Sequence, residues 1–303
     1  MQDKFMGCFL GLAYGDALCA PYEGGPIERL LWHMVGKTKA KEHRFTDDTQ
    51  MSLDIANSFI NEGKFEQDKL AQEFASSYQW SRGYGPSAGK ILKRIRNGMP
   101  WQKANVSVHK DGSFGNGAAM RAPILAMCFK PSNCEFKRSV IHSAEITHSN
   151  KLAIEGALLI AYSTAYALAD MPNDEICNRL IELAESTTFK GRLKACKNYI
   201  HQDTELEIRD IKKKFGNGIT ADQSCITAVY LALKFRNKPF INLLGCIKNL
   251  GGDTDTIAAM SGAIWGAFNG ADKLQINTLP TIEKQNDIKN IAVQLYKTYA
   301  AKN

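Results

Sequence analysis

Apolar residues recur at helical spacing along nearly the whole chain, and no segment alternates as a β-strand would. Near the N-terminus, Phe5, Phe9 and Ala13 follow one another at intervals of four, as residues on one helix face do. Further segments with this periodicity lie near 51–60, 70–78, 136–147, 150–169, 174–186, 204–215, 221–235, 240–250, 254–269 and 284–300. Glycine and proline stand mainly between the segments. The sequence therefore predicts an all-α fold in a single domain, residues 1–303.

The composition is that of a globular protein, because 44% of the 303 residues are hydrophobic and 23% are charged. No stretch approaches the ~20 apolar residues of a membrane span. Asp3, Lys4 and Asp16 interrupt the apolar N-terminus too early for a secretory signal. The eight cysteines form no CxxC or zinc-type pair. We expect a cytoplasmic protein with reduced thiols that does not enter a membrane.

The net charge of +7 is concentrated between residues 74 and 134, where nine basic residues accompany one acid. Such a region is typical either of a site for an anionic ligand or of a solvated helix surface. Nucleic acid is the competing partner, but the chain has no long basic run and no nucleic-acid-binding motif. We therefore expect no nucleic-acid binding.

The segment 254–269 is unusual because seven of its sixteen residues are glycine, alanine or serine. Small residues allow neighbouring backbones to approach closely, so we expect this to be the central helix of the fold. Close packing alone accounts for most of these positions.

Two clusters of carboxylates precede predicted helices. Asp47 and Asp48 follow Thr46 before the 51–60 segment, and Asp253 and Asp255 follow a double glycine before the 254–269 helix. Acidic helix caps are common, but burying several unpaired carboxylates is costly unless a cation compensates. Oxygen donors without neighbouring cysteine or histidine favour Mg²⁺ or Mn²⁺ over zinc.

Five motifs in this order resemble those of the ADP-ribosylglycohydrolase family. That family includes dinitrogenase reductase-activating glycohydrolase and the ADP-ribosyl-arginine and ADP-ribosyl-serine hydrolases. The motifs occupy residues 7–23, 46–49, 82–85, 115–121 with 147–148, and 251–256. The resemblance covers nearly the whole chain and implies a compact orthogonal helix bundle around a dinuclear metal site.

The resemblance also implies the ligands of two Mg²⁺ or Mn²⁺ ions. They are Thr46, Asp47 and Asp48 for one ion, Asp253 and Thr256 for the other, and Asp255 as the bridge. Glu23, on a mobile loop, and Asp48 are the candidate catalytic residues. They would orient or deprotonate the attacking water and assist departure of the leaving group, and the division between them stays open.

Substrate binding is assigned by the same resemblance to two glycine-rich loops and to residues elsewhere in the chain. These residues are Gly83, Tyr84, Gly85, Ser113, Phe114, Gly115, Asn116, Gly117, Met120, His148 and Ile219. Glycine permits close approach, so the loops can turn backbone N–H groups toward a pyrophosphate. His148 is expected at a phosphate or the proximal ribose, and Ile219 at the adenosine.

The reaction implied is hydrolysis of the glycosidic bond between ADP-ribose and a side chain of a modified protein, with ADP-ribose as product. Arginine is the first expected acceptor, and a monomer is expected. The alternatives are another linkage, such as serine or O-acetyl-ADP-ribose, and a non-catalytic ADP-ribose-binding or crystallin-like protein. An HD-type phosphohydrolase is disfavoured because none of the six histidines precedes an aspartate.

Overall fold

The structure, a computed structural model, describes residues 1–202 and 206–302. Within these ranges the chain forms fifteen α-helices and no β-strand, which confirms the predicted all-α fold. The helices are α1 Gln2–Cys19, α2 Pro26–Val35, α3 Asp47–Glu62, α4 Gln67–Ser77, α5 Pro86–Arg96, α6 Trp101–Val106, α7 Cys134–Glu145, α8 Lys151–Leu168, α9 Asn173–Leu183, α10 Thr187–His201, α11 Ile208–Phe215, α12 Ala221–Lys234, α13 Phe240–Leu250, α14 Thr254–Asn269 and α15 Gln285–Lys302. Short 3-10 helices lie at Ala20–Tyr22, Trp80–Arg82, Asn116–Ala118, Ala122–Met127, Asp272–Leu274 and Ile276–Thr278.

Helices α1 and α14 form the centre of the fold and contact each other through their backbones. A Cβ atom added to Gly11 would lie 2.2 Å from the carbonyl oxygen of Gly262, and one added to Gly15 would lie 2.2 Å from that of Ala258. One on Gly266 would lie 2.0 Å from the carbonyl oxygen of Gly7. Every residue of α14 from Thr254 to Phe268 is buried, which confirms the expected central helix.

The antiparallel packing of these two helices brings one end of each to the same place. The C-terminal end of α1 meets the N-terminal end of α14, where the Thr254 hydroxyl donates to the carbonyl oxygen of Cys19 at 2.9 Å. Asp16, in the last turn of α1, accepts hydrogen bonds from the backbone N–H groups of Thr46 and Thr49 at 3.0 and 3.1 Å. The start of α3 is thereby attached to the same point.

Most predicted helices are present within two or three residues of their expected bounds, but four helices were not predicted. These are α2, α5, α6 and α10. Helix α10 buries only Phe189, Leu193 and Cys196 along its 15 residues, so its apolar pattern is sparse. The segment predicted near 204–215 begins as helix at Ile208, and residues 204 and 205 lie outside the described part of the chain.

No two of the eight cysteines form a disulfide, and six of them are buried in the interior. None of the helices in residues 1–202 and 206–302 combines the length and the hydrophobicity that crossing a bilayer requires.

The backbone contact between α1 and α14 predicts a sharp difference between two glycine-to-alanine changes. Gly262→Ala should destabilise the protein by roughly 3 kcal/mol or more, because the new methyl group meets the Gly11 carbonyl and the helices must separate. Gly245→Ala, within α13, has no atom of the described part of the chain within 4 Å of the new Cβ and should stabilise by about 0.5–1 kcal/mol through helix propensity. Urea unfolding of both variants measures the difference, and equal stabilities would contradict this account of the contact.

Candidate metal centre and binding cavity

One cavity of about 350 Å³, a volume in the range of small-molecule sites, collects the acidic clusters and the glycine-rich loops. Sixteen of the eighteen predicted site residues line it: Glu23, Asp47, Asp48, Gly83, Tyr84, Gly85, Ser113, Gly115, Asn116, Gly117, Met120, His148, Ile219, Asp253, Asp255 and Thr256. Met51, Pro86, Ser87 and Ala88 line it as well and were not predicted. Segments far apart in the sequence therefore converge on one site.

The first acidic cluster is shaped by the start of α3. Thr46 is the N-cap residue, and its hydroxyl accepts from the Asp48 N–H at 3.3 Å and donates to Asp48 Oδ2 at 3.0 Å. Asp16 of α1 also stabilises this turn, because its carboxylate accepts a hydrogen bond from the Thr49 hydroxyl. Thr46 does not line the cavity, so its hydroxyl serves the turn and the Asp48 carboxylate.

The second acidic cluster lies at the start of α14 and includes the loop residue Glu23. Carboxylate oxygens of Glu23, Asp253 and Asp255 lie within 4.8 Å of one another, a spacing that a metal ion can bridge. The two clusters meet where the Thr256 hydroxyl approaches Asp48 Oδ2 at 3.4 Å.

Burial and mutual repulsion raise the pKa values of these carboxyl groups. Burial, followed by the charge of Asp16, raises the pKa of Asp47 to about 8, and burial followed by the charge of Glu23 raises that of Asp253 to about 7. The pKa values of Asp48 and Asp255 are raised well above the ordinary value, again chiefly by burial and then by neighbouring carboxylates. The protein alone thus holds these groups at a considerable electrostatic cost.

Two buried oxygen atoms indicate what would relieve this cost. Asp48 Oδ1 and Asp255 Oδ1 are buried and have no hydrogen-bond partner among the residues that the structure describes. Buried polar atoms are rarely left unpaired in folded proteins, and a cation bound between carboxylate oxygens satisfies them. Because the surrounding donors are carboxylate and hydroxyl oxygens, the residues present fit hard divalent cations such as Mg²⁺ or Mn²⁺.

The glycine-rich loop 113–117 is attached to the second acidic cluster by Asn116. The Asn116 side-chain amide donates to Asp253 Oδ2 and, at 3.0 Å, to the Ser224 hydroxyl. This amide was predicted to bind substrate, and the structure directs it to a predicted metal ligand. Phe114 does not line the cavity, and its side chain is half exposed beside it.

His148 packs directly beneath the same loop. A Cβ added to Gly117 would lie 2.7 Å from His148 Cε1, so only glycine allows this approach. Burial, followed by the charge of Arg121, lowers the pKa of His148 to about 3, which makes the imidazole neutral at physiological pH. His148 can therefore offer a hydrogen bond to a ligand but no positive charge.

Two arginines of the basic region are internal supports, which corrects part of the interpretation of that region as a field for an anion. Arg121 is fully buried and donates to the carbonyl oxygens of Gly117 and Ser143. Arg82 is buried in an ion pair with Glu283 and also donates to the Phe45 carbonyl at 2.8 Å. Both guanidinium groups are therefore buried and bind backbone carbonyls inside the protein.

The sequence alone assigns no role to the residues that position the two acidic clusters. Asp16 lies within the motif at residues 7–23, but its task is visible only from contacts that span 30 residues or more. The Arg82–Glu283 pair spans 201 residues. The one feature of the sequence that points to this pair is that Arg82 directly precedes Gly83-Tyr84-Gly85 in one of the family motifs.

Comparison with known proteins gives one consistent result. The sequence profile of a family described as ADP-ribosylglycohydrolase matches residues 1–303. A protein of Danio rerio named ADP-ribosylhydrolase ARH3 is 30% identical over 99% of this chain and 91% of its own length. The Homo sapiens protein of the same name is 27% identical over 98% and 93%. A solved structure titled ADP-ribosylglycohydrolase-related protein complex shares the fold, with a TM-score of 0.67 and 24% identity over 98% of both chains.

The repulsion among the buried carboxylates predicts that divalent cations stabilise the fold. An ion that binds only the folded protein, at a hundred times its Kd, contributes about 2.7 kcal/mol, which for a chain of this size raises the melting temperature by about 4 °C. Calorimetric melting should show this rise with Mg²⁺ or Mn²⁺ and not with Na⁺ at equal ionic strength. A protein that melts at one temperature with chelator and with Mn²⁺ would contradict the metal assignment.

Proposed function

The chain belongs to the ADP-ribosylglycohydrolase family, and from this premise we propose that it hydrolyses the glycosidic bond between ADP-ribose and a modified acceptor. The observation that carries the proposal is the cavity itself. It joins two unpartnered, buried carboxylate oxygens to two glycine-rich loops that can receive a pyrophosphate. A site for an anionic nucleotide sugar and a site for divalent cations thus share one space.

The residues of the two acidic clusters would hold two Mg²⁺ or Mn²⁺ ions. When bound, such ions supply Lewis-acid polarisation and orient vicinal hydroxyls and a water molecule. Asp255 can serve both clusters, because it lies on α14 between Asp253 and the Thr256 hydroxyl that reaches Asp48.

The glycine-rich loops would orient the rest of the substrate. Other backbone N–H groups of the two loops than those of Gly115 and Asn116, which donate within the protein, would face the pyrophosphate, and the neutral His148 would donate a hydrogen bond. Exposed Ile219, which also lines the cavity, offers an apolar surface for the adenine. Together these contacts would hold the distal ribose against the acidic clusters.

In the proposed reaction, water attacks the anomeric carbon as the bond to the acceptor breaks, through an oxocarbenium-like transition state. The hydroxyl of water joins the ribose, and a proton goes to the departing acceptor atom. Glu23 and Asp48 line the cavity on the side of the acidic clusters and are the candidates to take a proton from water and deliver one to the leaving group.

The acceptor is tested by direct comparison of substrates. Peptides modified on arginine and on serine, together with O-acetyl-ADP-ribose, should be incubated with the protein and Mg²⁺, and released ADP-ribose measured by chromatography. We expect release from at least one substrate, with arginine as the first expected acceptor, and none after chelation. Binding of ADP-ribose without any release would favour the non-catalytic alternative.

Replacing the proposed bridging carboxylate should separate catalysis from folding. Asp255→Asn should lower kcat by at least about 1000-fold, a loss comparable to those seen when one preorganised catalytic group is removed. The metal-free variant should melt no lower than the wild type, because the raised pKa of Asp255 means that its charge opposes folding. Asp210→Asn on α11, outside the cavity, is the matched control and should retain full activity. Near-normal turnover by Asp255→Asn would refute the assignment.

A further inference from the structure

We propose that Asn217 is a positioning residue that holds the turn carrying Asp253 and joins it to the loop of Ile219. The proposal rests on the proposed function only for the identity of the ligands. The Asn217 contacts themselves are independent of that function.

Three groups on the turn after α13 are held by this one residue. The Asn217 side-chain amide donates to the carbonyl oxygens of Leu250 and Gly251 at 3.2 and 3.0 Å. Its backbone carbonyl accepts from the Asp253 N–H at 2.9 Å. Asn217 therefore contacts the turn on both sides of Gly252 and fixes the point from which the Asp253 side chain leaves the backbone.

The double glycine is what allows Asn217 to come so close. Gly251 and Gly252 have φ values of +60° and +79°, and a Cβ added to Gly252 would lie 2.1 Å from the Asn217 carbonyl oxygen. The Gly252 carbonyl in turn accepts from the Gly24 N–H at 3.1 Å, next to Glu23. The turn held by Asn217 is thus also a support for the Glu23 loop.

On its other side, the Asn217 loop is joined to the glycine-rich loop 113–117. The Asn116 N–H donates to the Ile219 carbonyl at 3.0 Å, and the Ala221 N–H donates to the Phe114 carbonyl at 3.1 Å. Through Asn217, a ligand that contacts Ile219 and a cation bound at Asp253 would act on one hydrogen-bonded unit.

The chemistry of the side chain makes the proposal specific. Both partners of the amide are carbonyl oxygens, so the position requires a donor of two hydrogen bonds. An aspartate of the same shape would place a carboxylate against two carbonyls and could not donate. If Asn217 merely filled space, aspartate would replace it without effect.

The test compares Asn217→Ala and Asn217→Asp with the wild type in two measurements, neither of which is activity. Hydrogen exchange of the metal-free protein should be faster over residues 250–255 in both variants. In a calorimetric titration with Mn²⁺, Asp253→Asn should abolish one binding step. In the two Asn217 variants, the Mn²⁺ affinity of that step should fall roughly 10- to 100-fold, the typical effect of removing a hydrogen-bond partner that orients a metal ligand. Asn217→Ser, which keeps one donor, serves if Asn217→Ala does not fold.

Asn242→Asp is the matched control, since it makes the same chemical change at an exposed position of α13. It should leave both exchange and Mn²⁺ affinity unchanged. Wild-type exchange and wild-type Mn²⁺ affinity in Asn217→Asp would overturn the proposal. Failure of the wild type to release or bind ADP-ribose would refute the proposed function. Hydrogen exchange and Mn²⁺ affinity would still test the role of Asn217.

Discussion

The backbone contact between α1 and α14 determines the geometry of everything built on it. Where glycine faces glycine, no layer of side chains separates the two helices, and their distance is set by the van der Waals radii of backbone atoms. Asp16 directly follows Gly15, the last glycine of α1 in this contact, and the second acidic cluster lies at the N-terminal end of α14. The spacing of the two acidic clusters is therefore set by a contact in which no side chain can rearrange.

A fixed backbone contact of this kind is needed because the site itself opposes folding. Several buried carboxylates repel one another, and each of their raised pKa values is a loss of stability at neutral pH. The surrounding structure must hold them together against this repulsion. It does so with neutral donors, such as the Asn116 amide on Asp253, which orient a carboxylate without neutralising it.

Some features of the fold and of the site could be predicted from the sequence, and others could not. The all-α fold and the central helix follow from local patterns, since helical periodicity and runs of small residues are legible within one segment. The grouping of the acidic clusters with the glycine-rich loops came from the resemblance to a family. Helix α10 was missed because three buried residues in fifteen give little periodic signal. The supporting roles of Asp16, Arg82 and Asn217 depend on partners at least 30 residues away, which no local pattern encodes.

Under the proposed function, the buried arginines would support a site for an anion through backbone carbonyls and not by direct contact of a cation with the ligand. In a trans peptide the carbonyl and the following N–H point in opposite directions. The Phe45 carbonyl accepts from Arg82, and the N–H of the same peptide unit, on Thr46, donates to Asp16. The Gly117 carbonyl likewise accepts from Arg121, so the next N–H is directed away from that arginine. Under the proposed function, the carbonyl held by Arg121 would leave an N–H at the end of the glycine-rich loop available to a phosphate, whereas the carbonyl held by Arg82 orients an N–H that binds Asp16.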